Sequence, residues 1–127
     1  MIFSFSAAKV SFVPIDEILT VGFSETPSGD GRYLLFQREE YESEQDIELG
    51  LVGEYLEIND QTHGAYRGVE SVKLHRTRIE VLVADAARTQ IQEAEIHIAF
   101  SLSDADFQSL RTALQQILGI SRVHLAP

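Results

Sequence analysis

The sequence predicts an α+β fold in one domain: a mostly antiparallel β-sheet of about six to seven strands, with one C-terminal amphipathic helix packed on one face. Three observations carry this expectation. Most of residues 1–100 alternate apolar and polar side chains with a period of two, which is the pattern of half-buried strands. Turn-forming clusters such as Thr26-Pro27-Ser28-Gly29-Asp30-Gly31 interrupt the alternation. Only near the C-terminus does the apolar spacing change to that of a helix. A chain of 127 residues is one domain. It buries roughly two thirds of its unfolded surface, enough for a core without disulfides or metal. The expected division is a strand-rich part over 1–100, a helix over about 104–118 and a short tail over 120–127.

Each element follows from local pattern. Phe3 and Phe5 share one face of the first strand, whereas Val10 and Phe12 fall on the opposite parity. A bulge or break is therefore expected near Ala7 and Ala8, and Pro14 ends the segment. Residues 18–24 and 33–38 form a hairpin across the turn cluster. Residues 39–46 show no apolar periodicity and read as an exposed loop or frayed turn. Residues 54–59 are a strand with Leu56 and Ile58 inward and Glu57 outward, and residues 61–68 are a loop with two glycines. Val72 and Leu74 alternate with Lys73 and His75, and Ile79, Val81 and Val83 with Glu80 and Leu82, giving a second hairpin around Arg76-Thr77. Residues 85–88 suit one helical turn. Ala94, Ile96, Ile98 and Phe100 are the inward face of a last strand. Ser103 is a natural N-cap, with Asp106 completing a capping-box pattern and Asp104 suiting the positive helix start. Phe107, Leu110, Leu114, Ile117 and Leu118 form one apolar stripe, and Gly119 stops the helix.

Composition narrows the function. The chain has no Cys, so disulfides and thiolate metal sites are excluded. The N-terminus has no basic leader followed by an apolar core, and no run approaches the roughly 20 apolar residues of a membrane span. The expected compartment is the cytoplasm. The net charge is −10, and nine of the twenty carboxylates fall in residues 39–60, where there is no Lys or Arg. The rest of the chain carries 10 basic against 11 acidic residues. Such a field attracts a cationic partner and repels nucleic acid and anionic membrane. Glu40, Glu42, Glu44, Asp46 and Glu48 alternate, so on an extended strand they would share one face about 7 Å apart. That spacing suits a row of Arg or Lys on a partner; solvated charge and a calcium site are the alternatives. The run lacks the internal Gly and the Asp/Asn-rich opening of a calcium loop. The expected partner-binding residues are Glu39, Glu40, Tyr41, Glu42, Glu44, Asp46, Glu48, Tyr55, Glu57 and Asp60, with Tyr41 and Tyr55 as aromatic anchors.

No catalytic motif stands beside this. His63, His75, His97 and His124 have no zinc-ligand spacing, and His75 and His97 read as outward-facing surface residues. Asp60, His63 and Tyr66 invite an acid–base reading, but Asx-turn chemistry explains Asn59 and Asp60 without catalysis. Gly29-Asp30-Gly31 lacks the Lys-Ser/Thr of a phosphate loop. No metal or other cofactor is expected. An adaptor that offers a strand edge is the main rival to specific partner inhibition.

The middle of the chain resembles a known family. Tyr33-Leu34-Leu35-Phe36-Gln37-Arg38 is followed by Glu44-Gln45-Asp46-Ile47-Glu48-Leu49-Gly50, then by Glu54-Tyr55-Leu56-Glu57-Ile58-Asn59-Asp60-Gln61 and Tyr66-Arg67-Gly68-Val69. In order and spacing these runs are similar to the bacterial immunity proteins of polymorphic toxin systems, specifically the family numbered ten, over roughly residues 5–118. Arg67 stands where that family has glycine. The resemblance implies a cytoplasmic antidote that binds a cognate toxin domain and blocks it without catalysing a reaction. It carries no established contact residues. The acidic segment fits it independently, because an acidic antidote suits a toxin with a cationic site.

Overall fold

Alternating strands and one capped helix assemble around a single core in the computed structural model, which describes residues 2–14, 18–39 and 53–126. In chain order the described elements are β1 (Ile2–Ser6), β2 (Lys9–Ser11), β3 (Ile18–Ser24), β4 (Tyr33–Glu39), β5 (Tyr55–Ile58), β6 (Gly64–Tyr66), β7 (Val69–Leu74), β8 (Arg78–Val83), α1 (Arg88–Ile91), β9 (Glu95–Ala99), α2 (Asp104–Leu118) and β10 (Val123–Leu125). Sheet one has the order β1-β9-β8-β7-β10 and sheet two the order β2-β3-β4-β5-β6. Pairing is antiparallel except for β1 with β9 and β10 with β7.

The fold is the expected α+β class, but the described strands number ten in two sheets rather than six to seven in one. Three of the ten, β2, β6 and β10, are only 3 residues long, too short for alternation to mark them. The tail is no mere tail: after a 3-10 turn over Ile120–Arg122, β10 joins the edge of sheet one. The break at Ala7 and Ala8 is where the chain changes sheets. Ala7 N–H donates to Ala99 O in sheet one, and Ala8 N–H to Ser24 O in sheet two, both at 2.8 Å.

One face of each sheet is apolar. Val21, Phe23, Leu34, Phe36, Leu56 and Ile58 come from sheet two, and Phe5, Val72, Leu74, Ile79, Val81, Ile96 and Ile98 from sheet one, in one continuous core. Phe23 and Phe100 join the two sets, with ring centroids 6.0 Å apart. Helix α2 lies against β3, β4 and β10, and buries Leu110, Leu114, Ile117 and Leu118. Its N-cap is the expected one, Ser103 Oγ accepting from Asp106 N–H at 3.2 Å. Phe107 is half-buried, stacked on Phe100 and lying beneath the Arg76 guanidinium. Gly119 ends the helix at φ 85° and ψ 151°, a conformation that suits glycine alone.

Candidate partner-binding surface

The alternation that points Leu56 and Ile58 inward turns Tyr55 and Glu57 to the outer face of sheet two. On β4 the same parity turns Tyr33, Leu35 and Gln37 outward, and the register sets Leu35 beside Glu57 and Gln37 beside Tyr55. On β6, Gly64 lies opposite Glu57 and Tyr66 opposite Tyr55. The outer face thus carries three tyrosines, two of which reach the Glu57 carboxylate.

Their geometry is specific. The Tyr55 hydroxyl donates to Glu57 Oε1 at 2.7 Å, and the Tyr33 hydroxyl donates to Glu57 Oε2. Tyr55 reaches this position by lying across Gly64, where a Cβ would stand 2.1 Å from the Tyr55 hydroxyl oxygen. Only glycine leaves room for it. The Tyr55 and Tyr66 rings meet at 5.1 Å. Glu57 faces outward as its parity requires, yet it is only 7% exposed. Burial, followed by the hydrogen bond to Glu57 and its charge, pushes both the Tyr33 and the Tyr55 hydroxyls well above the ordinary tyrosine range. Both remain neutral donors at physiological pH.

The other carboxylates of the acidic stretch divide into distinct roles. Glu54, 2% exposed, belongs to the interior. Arg122 clasps it, Nη1 to Oε1 at 2.5 Å and Nη2 to Oε2 at 3.1 Å. Arg122 also donates to Leu118 O at 2.8 Å and Val69 O at 3.1 Å. Asp60 is exposed and caps the 3-10 turn Gln61–His63, Oδ1 accepting from Thr62 N–H at 2.8 Å. The Thr62 hydroxyl and N–H hold the Asp60 carboxyl below its ordinary value of 3.8. His63 stands 3.7 Å from Asp60 Oδ2, with both side chains open to solvent. Glu39 is exposed at the end of β4, opposite Ile18. Glu40, Tyr41, Glu42, Glu44, Asp46 and Glu48, together with the loop expected over 39–46 beyond Glu39, lie outside the described residues.

Of the expected site residues, the structure therefore brings Tyr55 and Glu57 together and sets Glu39 and Asp60 at separate exposed positions. Tyr33 is the member that local sequence pattern missed. Its outward parity was legible, but its neighbour Glu57 lies 24 residues away and is found only through the β4–β5 register.

The outer face of sheet one holds a different cluster. Glu80 is flanked by His75, Arg78 at 3.3 Å and His97 at 4.0 Å, and His97 also meets Glu95 at 3.3 Å. Among the described residues no group of three or more His, Asp or Glu side chains is arranged to hold a metal ion. No helix among them is long and apolar enough to cross a membrane. No curated protein and no solved structure matches the chain. The family model described as Immunity protein 10 matches residues 5–108.

Proposed function

The chain belongs to the immunity protein 10 family, and from that premise we propose that it binds and neutralises a cognate bacterial toxin domain, in the cytoplasm of the cell it protects. The observation that carries the mechanism is the concentration of nine carboxylates in residues 39–60 without a basic residue among them. Glu39 and Asp60 are exposed at the two ends of this stretch, and Tyr55 lies within it. An acidic surface with aromatic anchors is suited to cover a cationic toxin site. Charge complementarity speeds the encounter and discriminates among partners, while buried aromatic side chains supply the anchoring contacts.

The rival readings have less support. As a catalytic base Asp60 is poorly placed, because its Oδ1 is committed to the Thr62 backbone as a cap. An adaptor that pairs through a strand edge meets an obstacle at β1, where Arg32 Nη1 donates to the Ser4 carbonyl at 3.0 Å. The test is a survival assay. The C-terminal domain encoded by the open reading frame immediately upstream is induced in a bacterial host with and without this chain. Killing that this chain abolishes is the expected result. Killing that it leaves untouched would remove the proposal.

A further inference from the structure

A groove of about 350 Å³ lies on the outer face of sheet two, lined by Gly22, Leu35, Tyr33 and Glu57 among others. Gly22 contributes no side chain, and the Leu35 methyl lies 3.7 Å from the place its Cβ would take, so the floor is smooth and apolar. Within this lining Glu57 receives two neutral donors, the hydroxyls of Tyr33 and Tyr55. None of the ion pairs formed among the described residues includes Glu57. The buried charge of Glu54 has Arg122, whereas among the described residues no cation is paired with Glu57. A carboxylate offers about four lone-pair positions and here uses two. A nearly buried negative charge without a cation is an unfavourable state that an incoming cation relieves. Glu57 and Asp60 both act on the Tyr33 hydroxyl as negative charges. Lys9 also lines the groove, and none of the ion pairs formed among the described residues joins it to Glu57.

We propose that this groove receives one basic side chain of the toxin, Arg or Lys, with its charged head at Glu57 and its aliphatic stem over Gly22 and Leu35. The Tyr33 ring flanks the head, an arrangement that suits a cation beside an aromatic face. The inference rests on the antidote reading and adds to it a single anchoring pocket built from described residues of β3, β4 and β5.

The test is calorimetric titration of the upstream-encoded toxin domain with the wild-type chain, Glu57→Gln and Leu35→Arg, after urea unfolding has shown that each variant folds. Glu57→Gln keeps the shape of the side chain and removes its charge. Leu35→Arg sets a further cation, one beside Glu57, in the groove and leaves Glu57 in place, so it carries the test if Glu57→Gln does not fold. Affinity falling about tenfold or more in both is the expected result. Wild-type affinity in both overturns the groove. Failure of the wild-type chain to bind would instead strike the antidote reading, and a second probe then decides the groove. Saturable NMR shifts at Gly22, Leu35 and Glu57 on adding N-acetyl-arginine methylamide support it, and their absence overturns it.

Discussion

Replacing Arg122 with Ala is expected to lower the unfolding free energy by about 3 kcal/mol, the lower end of the range for breaking a buried pair. The figure follows from what the guanidinium does. It clasps Glu54 through two nitrogens, at 2.5 and 3.1 Å, and satisfies the carbonyls of Leu118 and Val69. The Glu54 side chain is 3% exposed, so without Arg122 its charge is left in the interior with no cation. The Arg122 side chain is itself 31% exposed, which lets water reach part of the site and argues against the upper end of the range. For a chain of this size about 3 kcal/mol corresponds to roughly 10 °C in melting temperature. Urea unfolding followed by circular dichroism measures the difference. A second variant separates the charge from the packing: Glu54→Leu with Arg122→Met removes both charges and should recover most of the loss. A loss under about 1 kcal/mol in Arg122→Ala, or a double variant as unstable as the single one, would refute the reasoning.

Gly64→Ala should cost about 1–3 kcal/mol in the same unfolding assay, because the added Cβ meets the Tyr55 hydroxyl oxygen at 2.1 Å and displaces it from Glu57. Changing Glu42, Glu44 and Asp46 together to Gln should weaken toxin binding and flatten its salt dependence; an unchanged affinity and salt slope, measured by titration at several salt concentrations, would move the interface elsewhere. At Glu80, burial pushes the carboxyl up, but hydrogen bonds from His75 and Arg78 and the Arg78 charge together hold it below its ordinary 4.5. A depressed carboxyl contributes stability that is present above the unfolded pKa and lost as the pH falls through the folded one. Acid unfolding of Glu80→Gln should therefore show a shallower decline below about pH 4.5 than the wild type, and identical acid limbs would count against it.

The parts legible in the sequence are those whose signals are local. Ser103, Asp106, the stripe from Phe107 to Leu118 and Gly119 lie in consecutive turns, and each does in the structure what its type and spacing imply. The hairpin of β3 and β4 was equally legible, because its turn chemistry and both alternations are contiguous. The illegible parts depend on distant partners. The parallel pairing of β1 with β9 joins Phe3 to Ile96, and nothing near either residue encodes that register. Polar Glu54 before a strand gives no hint of Arg122, 68 residues on. Arg67 is a case between the two. Its φ of 55° lies in the left-handed region, which explains why glycine suits the position, but a strained Arg leaves no mark in an alternation pattern.

The charge count of the acidic stretch and its binding role are separable for the same reason. Glu54 holds the start of β5 to the C-terminal turn through Arg122, so that tie reaches from inside the 5–108 span of the family match to a residue beyond it. Helix α2 also runs past that span, and its last buried residues, Leu110, Leu114, Ile117 and Leu118, belong to the common core. Neutralising Glu54 would therefore change folding before it changed any encounter with a partner. Glu57 is enclosed by two tyrosines, so its charge acts at short range and not as part of a broad field. Glu39 and Asp60 remain as exposed charges among the described residues of the stretch, and Asp60 also serves as a cap. A partner attracted over distance responds to exposed charge, whereas a partner held in place responds to the groove at Glu57. The two contributions should appear in different rate constants: removal of exposed carboxylates should slow association, and Glu57→Gln should speed dissociation.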